Sequence, residues 1–314
     1  MVLAAGLATR LRPVTDDVAK PALDFCGRTM LDRVLDGLAA AGVTHAVVNL
    51  HHAPDSVRAV VAARGAALPA VTWSDETAEL LGTGGALVPV RATFADDHFL
   101  LVNGDCVHAV DCAALMAEHR ASGASATLAV RPHGERGFGA LRVGQSGEVV
   151  AFSVPATGAG DERHFLSVQA VSPSLLDELP ALPRAFSSFT AWYPPARERG
   201  HVFRVHETLA EWHALDSREL FLGAVRDWLA RRGGAPFVAP NARVAPGADV
   251  DGASSLSAGV MVGAGARIEG SAILDGARIG AGARVVRSLV GPGATVGDGA
   301  VVEDRIVARG GTSG

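Results

Sequence analysis

Cysteine is scarce: the chain of 314 residues has three, Cys26, Cys106 and Cys112. Their odd number and irregular spacing exclude a disulfide framework and a zinc-binding signature, and a reducing, cytoplasmic location is expected. An excess of positive charge is also missing. The 28 Lys and Arg against 33 Asp and Glu leave a net charge of −5. This mild acidity argues against a nucleic-acid surface, which needs a basic patch, although a local pocket for a few phosphates is not excluded. No run approaches the roughly 18 apolar residues of a membrane span, and no charged-then-apolar leader opens the sequence. Disorder is excluded by composition: hydrophobic residues make up 48% and charged residues 19%, enough for one large domain, one small domain and a substantial core.

Two patterns follow one another. Up to about residue 232, short apolar runs alternate with amphipathic stretches. Val2–Ala5, Ala46–Leu50, Phe99–Val102 and Ala126–Val130 read as buried strands. Thr29–Ala41 places Met30, Val34, Leu35 and Leu38 at helical spacing, and Ser56–Ala63, Ala113–Arg120 and Leu220–Arg231 read as further helices. Strands alternating with helices predict an α/β domain over 1–232, with a Rossmann-like, mostly parallel sheet. Residues 133–195 are less regular, with strands expected at Ala140–Val143, Val149–Phe152 and Phe165–Ser172.

After the linker Arg231-Arg232-Gly233-Gly234, aliphatic residues recur every six positions: Val238, Val244, Val250, Leu256, Val262, Ile268. The register slips by one to Ile273, Ile279, Val285, and slips again to Val290, Val296, Val302. This hexapeptide repeat predicts a short left-handed parallel β-helix of about four coils over 237–307, with each slip absorbed at a corner. A flexible Gly/Ala tail would not keep such a register. The β-helix is expected to mediate homo- or hetero-oligomerisation. A hexapeptide acyltransferase has little support, because no histidine follows His213 and such chemistry needs a base for the acceptor.

The most informative stretch is Val2-Leu3-Ala4-Ala5-Gly6-Leu7-Ala8-Thr9-Arg10-Leu11-Arg12-Pro13, followed by Lys20-Pro21. A buried strand ends in a turn of small residues, which lets backbone N–H groups approach a phosphate, and basic side chains lie just beyond. Arg10 can add a charge-assisted fork.

This run resembles the signature of the sugar-1-phosphate nucleotidyltransferases, or NDP-sugar pyrophosphorylases: roughly L-A-A-G-x-G-T-R-L-x-P-L-T, then P-K-P-L. Leu3 to Thr15 and Ala19-Lys20-Pro21-Ala22-Leu23 match it, with Ala8 in place of the second glycine. Leu81-Gly82-Thr83-Gly84-Gly85-Ala86-Leu87 is similar to the segment that holds the nucleobase, and Phe99–Asp105 to the strand that ends in a metal-binding aspartate. The first domain is most similar to N-acetylmuramate-1-phosphate uridylyltransferases and to mannose- or heptose-1-phosphate guanylyltransferases. The resemblance implies transfer of a nucleotidyl group from an NTP to a sugar-1-phosphate, with Mg²⁺ and without a covalent intermediate. It implies catalytic roles for Arg10, Lys20 and Asp105, with Asp105 as metal ligand. It implies nucleotide contacts from Leu3, Ala5, Gly6, Thr9, Glu79, Gly84 and Gly85, and sugar contacts from Asn103, Gly139 and Ser167.

Three departures stand out. The family's W-x-D-x-G-T-P-E becomes Trp212-His213-Ala214-Leu215-Asp216-Ser217-Arg218-Glu219, so alanine replaces the second metal aspartate. Asp216, Glu211 and His213 are the candidates to substitute for it. Phe138-Gly139 keeps an aromatic-Gly pair, whereas Glu-Lys-Pro becomes Ser153-Val154-Pro155. Leu166-Ser167-Val168 stands where a Ser/Thr-Gly-Ile strand lines the sugar pocket. Two readings follow: an active transferase with a rearranged metal site, or a weak or inactive paralogue that binds nucleotide and regulates a partner.

Overall fold

The computed structural model describes residues 1–67, 69–133, 139–182 and 184–313; Phe138 lies outside them. Its two compact units do not follow chain order. One comprises 1–6, 34–54 and 61–212, the other 7–33, 55–60 and 213–314. Among the described residues no helix is long and apolar enough to cross a membrane.

The first unit is built on a nine-stranded mixed sheet. Its strands are β1 (Val2–Leu3), β2 (His45–Leu50), β3 (Ala70–Asp75), β4 (Phe99–Asn103), β5 (Ala126–Pro132), β6 (Ala140–Val143), β7 (Val149–Val154), β8 (Glu162–Val171) and β9 (Phe203–Glu207). The order runs β7-β6-β8-β4-β1-β2-β3, with β5 pairing both β8 and β9. Strands β4, β1, β2 and β3 are parallel, with Val2 opposite Val102 on one side and Val48 on the other. The antiparallel β8 joins beside β4. Val2, Val47, Val48, Leu101 and Val102 are buried, as strands covered on both faces require. The strand expected over Val2–Ala5 stops at Leu3, because the Ala4 N–H bonds the Asn49 side chain instead of a neighbouring strand.

Side-chain caps start two of the helices. Helix α1 (Met30–Ala40) begins after Thr29, whose Oγ1 accepts the Asp32 N–H at 3.1 Å. Asp111 accepts the Ala114 N–H at the start of Cys112–Ser122, and Gly123, at φ 64°, ends that helix.

In the second unit, the repeats form a parallel β-helix. Strands from Phe237–Val238 to Val301–Glu303 stack into three parallel sheets. Val307 adds a further row by pairing with Val290. Leu256, Val262, Ile268, Ile273, Ile279, Val285, Val290 and Val296 fill the interior. The expected slips appear in the pairing register: Val238 lies opposite Leu256, but Leu256 lies opposite Ile273 and Ile273 opposite Val290.

The shortened corner carries a buried column of Ser254, Ser271 and Ser288. Each hydroxyl accepts the N–H of the next coil: Ser271 N to Ser254 Oγ at 3.0 Å, Ser288 N to Ser271 Oγ at 3.0 Å and Arg305 N to Ser288 Oγ at 3.1 Å. The hydroxyls thus satisfy backbone donors that the missing residue would leave stranded. Replacing Ser271 by alanine should cost about 1–3 kcal/mol in urea unfolding, the usual penalty for a stranded buried donor.

His119 is fully buried in the first unit, bonded through Nδ1 to Thr127 Oγ1 at 2.9 Å and through Nε2 to His98 Nδ1 at 3.0 Å. Burial, with smaller contributions from His98 and Arg120, pushes its pKa down from 6.5 to about 4. The unfolded chain therefore takes up a proton below pH 6.5 that the fold refuses, so stability is present above that pH and is lost on acidification towards pH 4. The expected share is about 3 kcal/mol. Urea titrations between pH 7.5 and 4.5 should show a shallower loss in His119→Gln than in the parent.

Candidate active site

The carboxyl ends of β1, β2, β3 and β4 lie side by side in the first unit, where open α/β sheets place their ligands. Adjacent strands β1 and β4 put Leu3 opposite Asn103. The chain beyond β4 turns sharply against β1: the Gly104 N–H bonds the Leu3 carbonyl at 2.8 Å. A Cβ on Gly104 would lie 3.0 Å from Val2 Cγ1 and 3.1 Å from that carbonyl. A side chain there would press on both neighbours, and the turn delivers Asp105.

One side chain organises this edge. Asn49, 2% exposed at the end of β2, accepts the Ala4 N–H at 2.6 Å and donates to Glu76 Oε1 at 2.8 Å. The second Glu76 oxygen accepts the Leu81 N–H at 2.9 Å. Burial raises the Glu76 pKa, and the bonds from Asn49 and Leu81 oppose the shift.

A cavity of about 170 Å³ opens at this edge. Its walls are Leu3, Ala5 and Gly6 from the small-residue bend, Asn49 from β2, Leu80, Gly82 and Thr83 from the glycine-rich segment, and Asn103 with Asp105 after β4. Drug-sized sites run to roughly 300–1,000 Å³, so this cavity is smaller than such a site. Leu3, Ala5, Gly6, Asn103 and Asp105 thus gather in one place. Gly84 and Gly85 do not line it. They are buried against the segment 184–188: Gly84 N–H bonds the Phe186 carbonyl at 3.1 Å, and a Cβ on either glycine would collide with Phe186 or with the Arg184 carbonyl. Thr83 ties down the same segment by accepting the Ser188 N–H at 2.9 Å. Glu79 is exposed and off the wall, whereas Glu76 is buried. The sequence motifs do not single out Asn49, Leu80, Gly82 or Thr83 as ligands. Gly82 and Thr83 stand within the glycine-rich match, whereas Asn49 has no local signal.

Two family glycines are replaced at left-handed positions. Ala8 has φ 46° and Ser167 φ 64°, conformations that cost a side chain roughly 1–2 kcal/mol. Ser167 lies in β8 where the pairing with β5 shifts register. Gly139 is exposed, with Ser153 Cα 3.6 Å from where its Cβ would be.

The basic groups fall in the second unit. Thr9, Arg10 and Leu11 form a single 3₁₀ turn in which Thr9 is exposed. Lys20 opens another, with Pro21 after it. Lys20 is the only lysine of the sequence, yet its side chain is 3% exposed. Its ammonium pairs with Asp216 Oδ1, and Arg10 reaches Asp216 Oδ2 at 3.3 Å. Asp216 lies two residues beyond Ala214, which ends the strand Trp212–Ala214 and is buried.

A divalent ion has a restricted donor set. Among the described residues no group of three or more His, Cys, Asp and Glu side chains could hold a metal. Asp105 on the cavity wall nevertheless fits the usual magnesium arrangement, in which one or two carboxylates share the ion with water and substrate phosphates.

Residues 1–153 match the nucleotidyl transferase family model. Residues 233–311 match the GMPPB C-terminal domain. The mannose-1-phosphate guanylyltransferase of Mycobacterium tuberculosis is 29% identical over 292 residues, 88% of this chain and 80% of that protein. The N-acetylmuramate alpha-1-phosphate uridylyltransferase of Caulobacter vibrioides is 40% identical over 109 residues, 34% of this chain and 45% of that protein. The chain thus matches less than half the length of the second relative. The crystal structure of HddC from Yersinia pseudotuberculosis shares the fold at a TM-score of 0.62 and 21% identity, over 72% of this chain and 97% of that one.

Asn49→Ala should strand the Ala4 donor and remove a donor from Glu76. The expected loss is about 2–4 kcal/mol in urea unfolding, the sum of two stranded buried groups, and nucleotide affinity should fall with it.

Proposed function

We infer that the protein transfers a nucleotidyl group from an NTP to a sugar-1-phosphate. The observation that carries this reading is the meeting of Ala5 and Gly6 with Asn103 and Asp105 on one cavity wall at the carboxyl edge of the parallel strands. GTP and a hexose-1-phosphate are the first pair to expect, because the Mycobacterium tuberculosis relative, which spans most of the chain, is a mannose-1-phosphate guanylyltransferase. The Caulobacter vibrioides relative makes UTP the second choice.

In the reaction, a phosphate oxygen of the sugar-1-phosphate forms a bond to the α-phosphorus. The bond from that phosphorus to the bridging oxygen breaks, and its electron pair leaves with pyrophosphate. The protein forms no covalent bond, so its work is positioning and charge neutralisation. Backbone donors of the Ala5–Gly6 bend hold phosphate oxygens. Arg10 and Lys20 take the β- and γ-phosphates and the charge developing on the leaving group. Gly82, Thr83 and Leu80 face the nucleoside. Asn103, Gly139 and Ser167 are assigned to the sugar side. Asp105 would hold Mg²⁺, which would supply Lewis-acid neutralisation of the phosphates.

The paralogue reading is not favoured. Ala214 removes one carboxylate, but Asp105 stays on the wall with the phosphate bend. Two further expectations belong here. Three buried cysteines outside any disulfide suit a reducing cytoplasm. The first coil of the β-helix leaves Val238 and Val244 each 41% exposed, and the open end of a solenoid calls for cover, which supports self-assembly there.

The test is pyrophosphate release from each of the four NTPs with a panel of sugar-1-phosphates and Mg²⁺. Turnover should be strongest with GTP. Asp105→Ala and Lys20→Met should each lower kcat by about 10²–10³, the effect of removing one transition-state charge partner. Turnover unchanged in Asp105→Ala would refute the assignment.

A further inference from the structure

The pairing of Asp216 with both cations of the signature segment bears on catalysis. Its Oδ1 takes the Lys20 ammonium and its Oδ2 the Arg10 guanidinium, the latter at 3.3 Å. These are the two side chains assigned to the β- and γ-phosphates. A carboxylate and a phosphate offer similar oxygen acceptors to such donors, so Asp216 and a triphosphate compete for the same positive charge.

The three side chains differ in exposure. The Lys20 side chain is 3% exposed, Asp216 27% and Arg10 65%. A buried ammonium needs a counter-charge, and Asp216 supplies one in the protein without substrate. Asp216 also lies next to solvent, on the bend between the strand end at Ala214 and the helix that begins at Arg218. An anion placed there can swing out when a better one arrives.

We propose that Asp216 is a displaceable counter-ion that holds Lys20 and Arg10 in place while the site is empty and yields them to the triphosphate of the incoming nucleotide. It is a positioning residue: it acts through Lys20 and Arg10. The proposal rests on the reading of those two residues as phosphate ligands. It separates Asp216 from the role of a relocated metal ligand, because a counter-ion opposes nucleotide binding and a metal ligand assists it.

Calorimetric titration of inorganic triphosphate and of GTP, with all divalent metal chelated by EDTA, reads the difference directly. Asp216→Asn keeps the shape and removes the charge. Triphosphate should bind it about tenfold more tightly than the parent, a gain of about 1.4 kcal/mol. Without ligand the variant should melt lower than the parent, and triphosphate should raise its Tm by more. Asp216→Glu keeps the charge and should retain the parent's affinity.

Equal or weaker binding by Asp216→Asn would overturn the proposal, and so would equal tightening by Asp216→Glu. Should Asp216→Asn fold only when triphosphate is present, the proposal stands; should triphosphate fail to restore it, the proposal falls. Lys20→Met tests the underlying assignment. If the parent and Lys20→Met bind triphosphate alike, the phosphate-ligand reading fails, a different result from a parent that binds well and an Asp216→Asn that does not improve.

Discussion

The Asn49 amide is the constraint on which the carboxyl edge of the parallel strands depends. One side chain accepts from the end of β1 and donates to a carboxylate just beyond β3. It ends the first strand at Leu3 and frees the bend to open away from the sheet. It also keeps Glu76 bonded in the interior, where that carboxylate fixes the start of the glycine-rich segment through Leu81. Each of these groups would be costly alone in the interior; joined, they form a satisfied network that specifies one geometry.

Much of this is legible in the sequence because it has a period or a motif. The hexads carry the register of the β-helix in their spacing, since one aliphatic residue per flat face is what the interior needs. The Leu3–Thr15 match places the bend, and the Asn-Gly-Asp run places Asp105. Other parts depend on contacts between residues far apart in the chain. Nothing local to Asn49 marks it as a bridge. Gly84 and Gly85 fit a nucleobase wall by motif, yet their small size is demanded by the Phe186 ring and the Arg184 carbonyl. Glu79 and Glu76 are three residues apart and of one type; burial alone separates them.

The substitutions within the motif show a different kind of limit. Alanine at position 8 and serine at position 167 read as lost glycines, and the structure shows that the backbone keeps the left-handed conformation regardless. Residue identity alone does not convey that conformation. In the same way Asp216 reads as one of three replacements for a missing carboxylate. Its pairing with the chain's one lysine gives it a partner of its own, and spacing along the sequence does not reveal that partner.

The serine column sets a unit of growth for the β-helix. From Leu256 onward each residue meets its counterpart one shortened turn later, and the hydroxyl at the corner hands its acceptor to the next turn. A duplicated turn that carried its own serine would slot in without disturbing the turns on either side. A duplicated turn of uncorrected length would break the column at the point of insertion. Whole turns that each carry a serine therefore keep the column continuous.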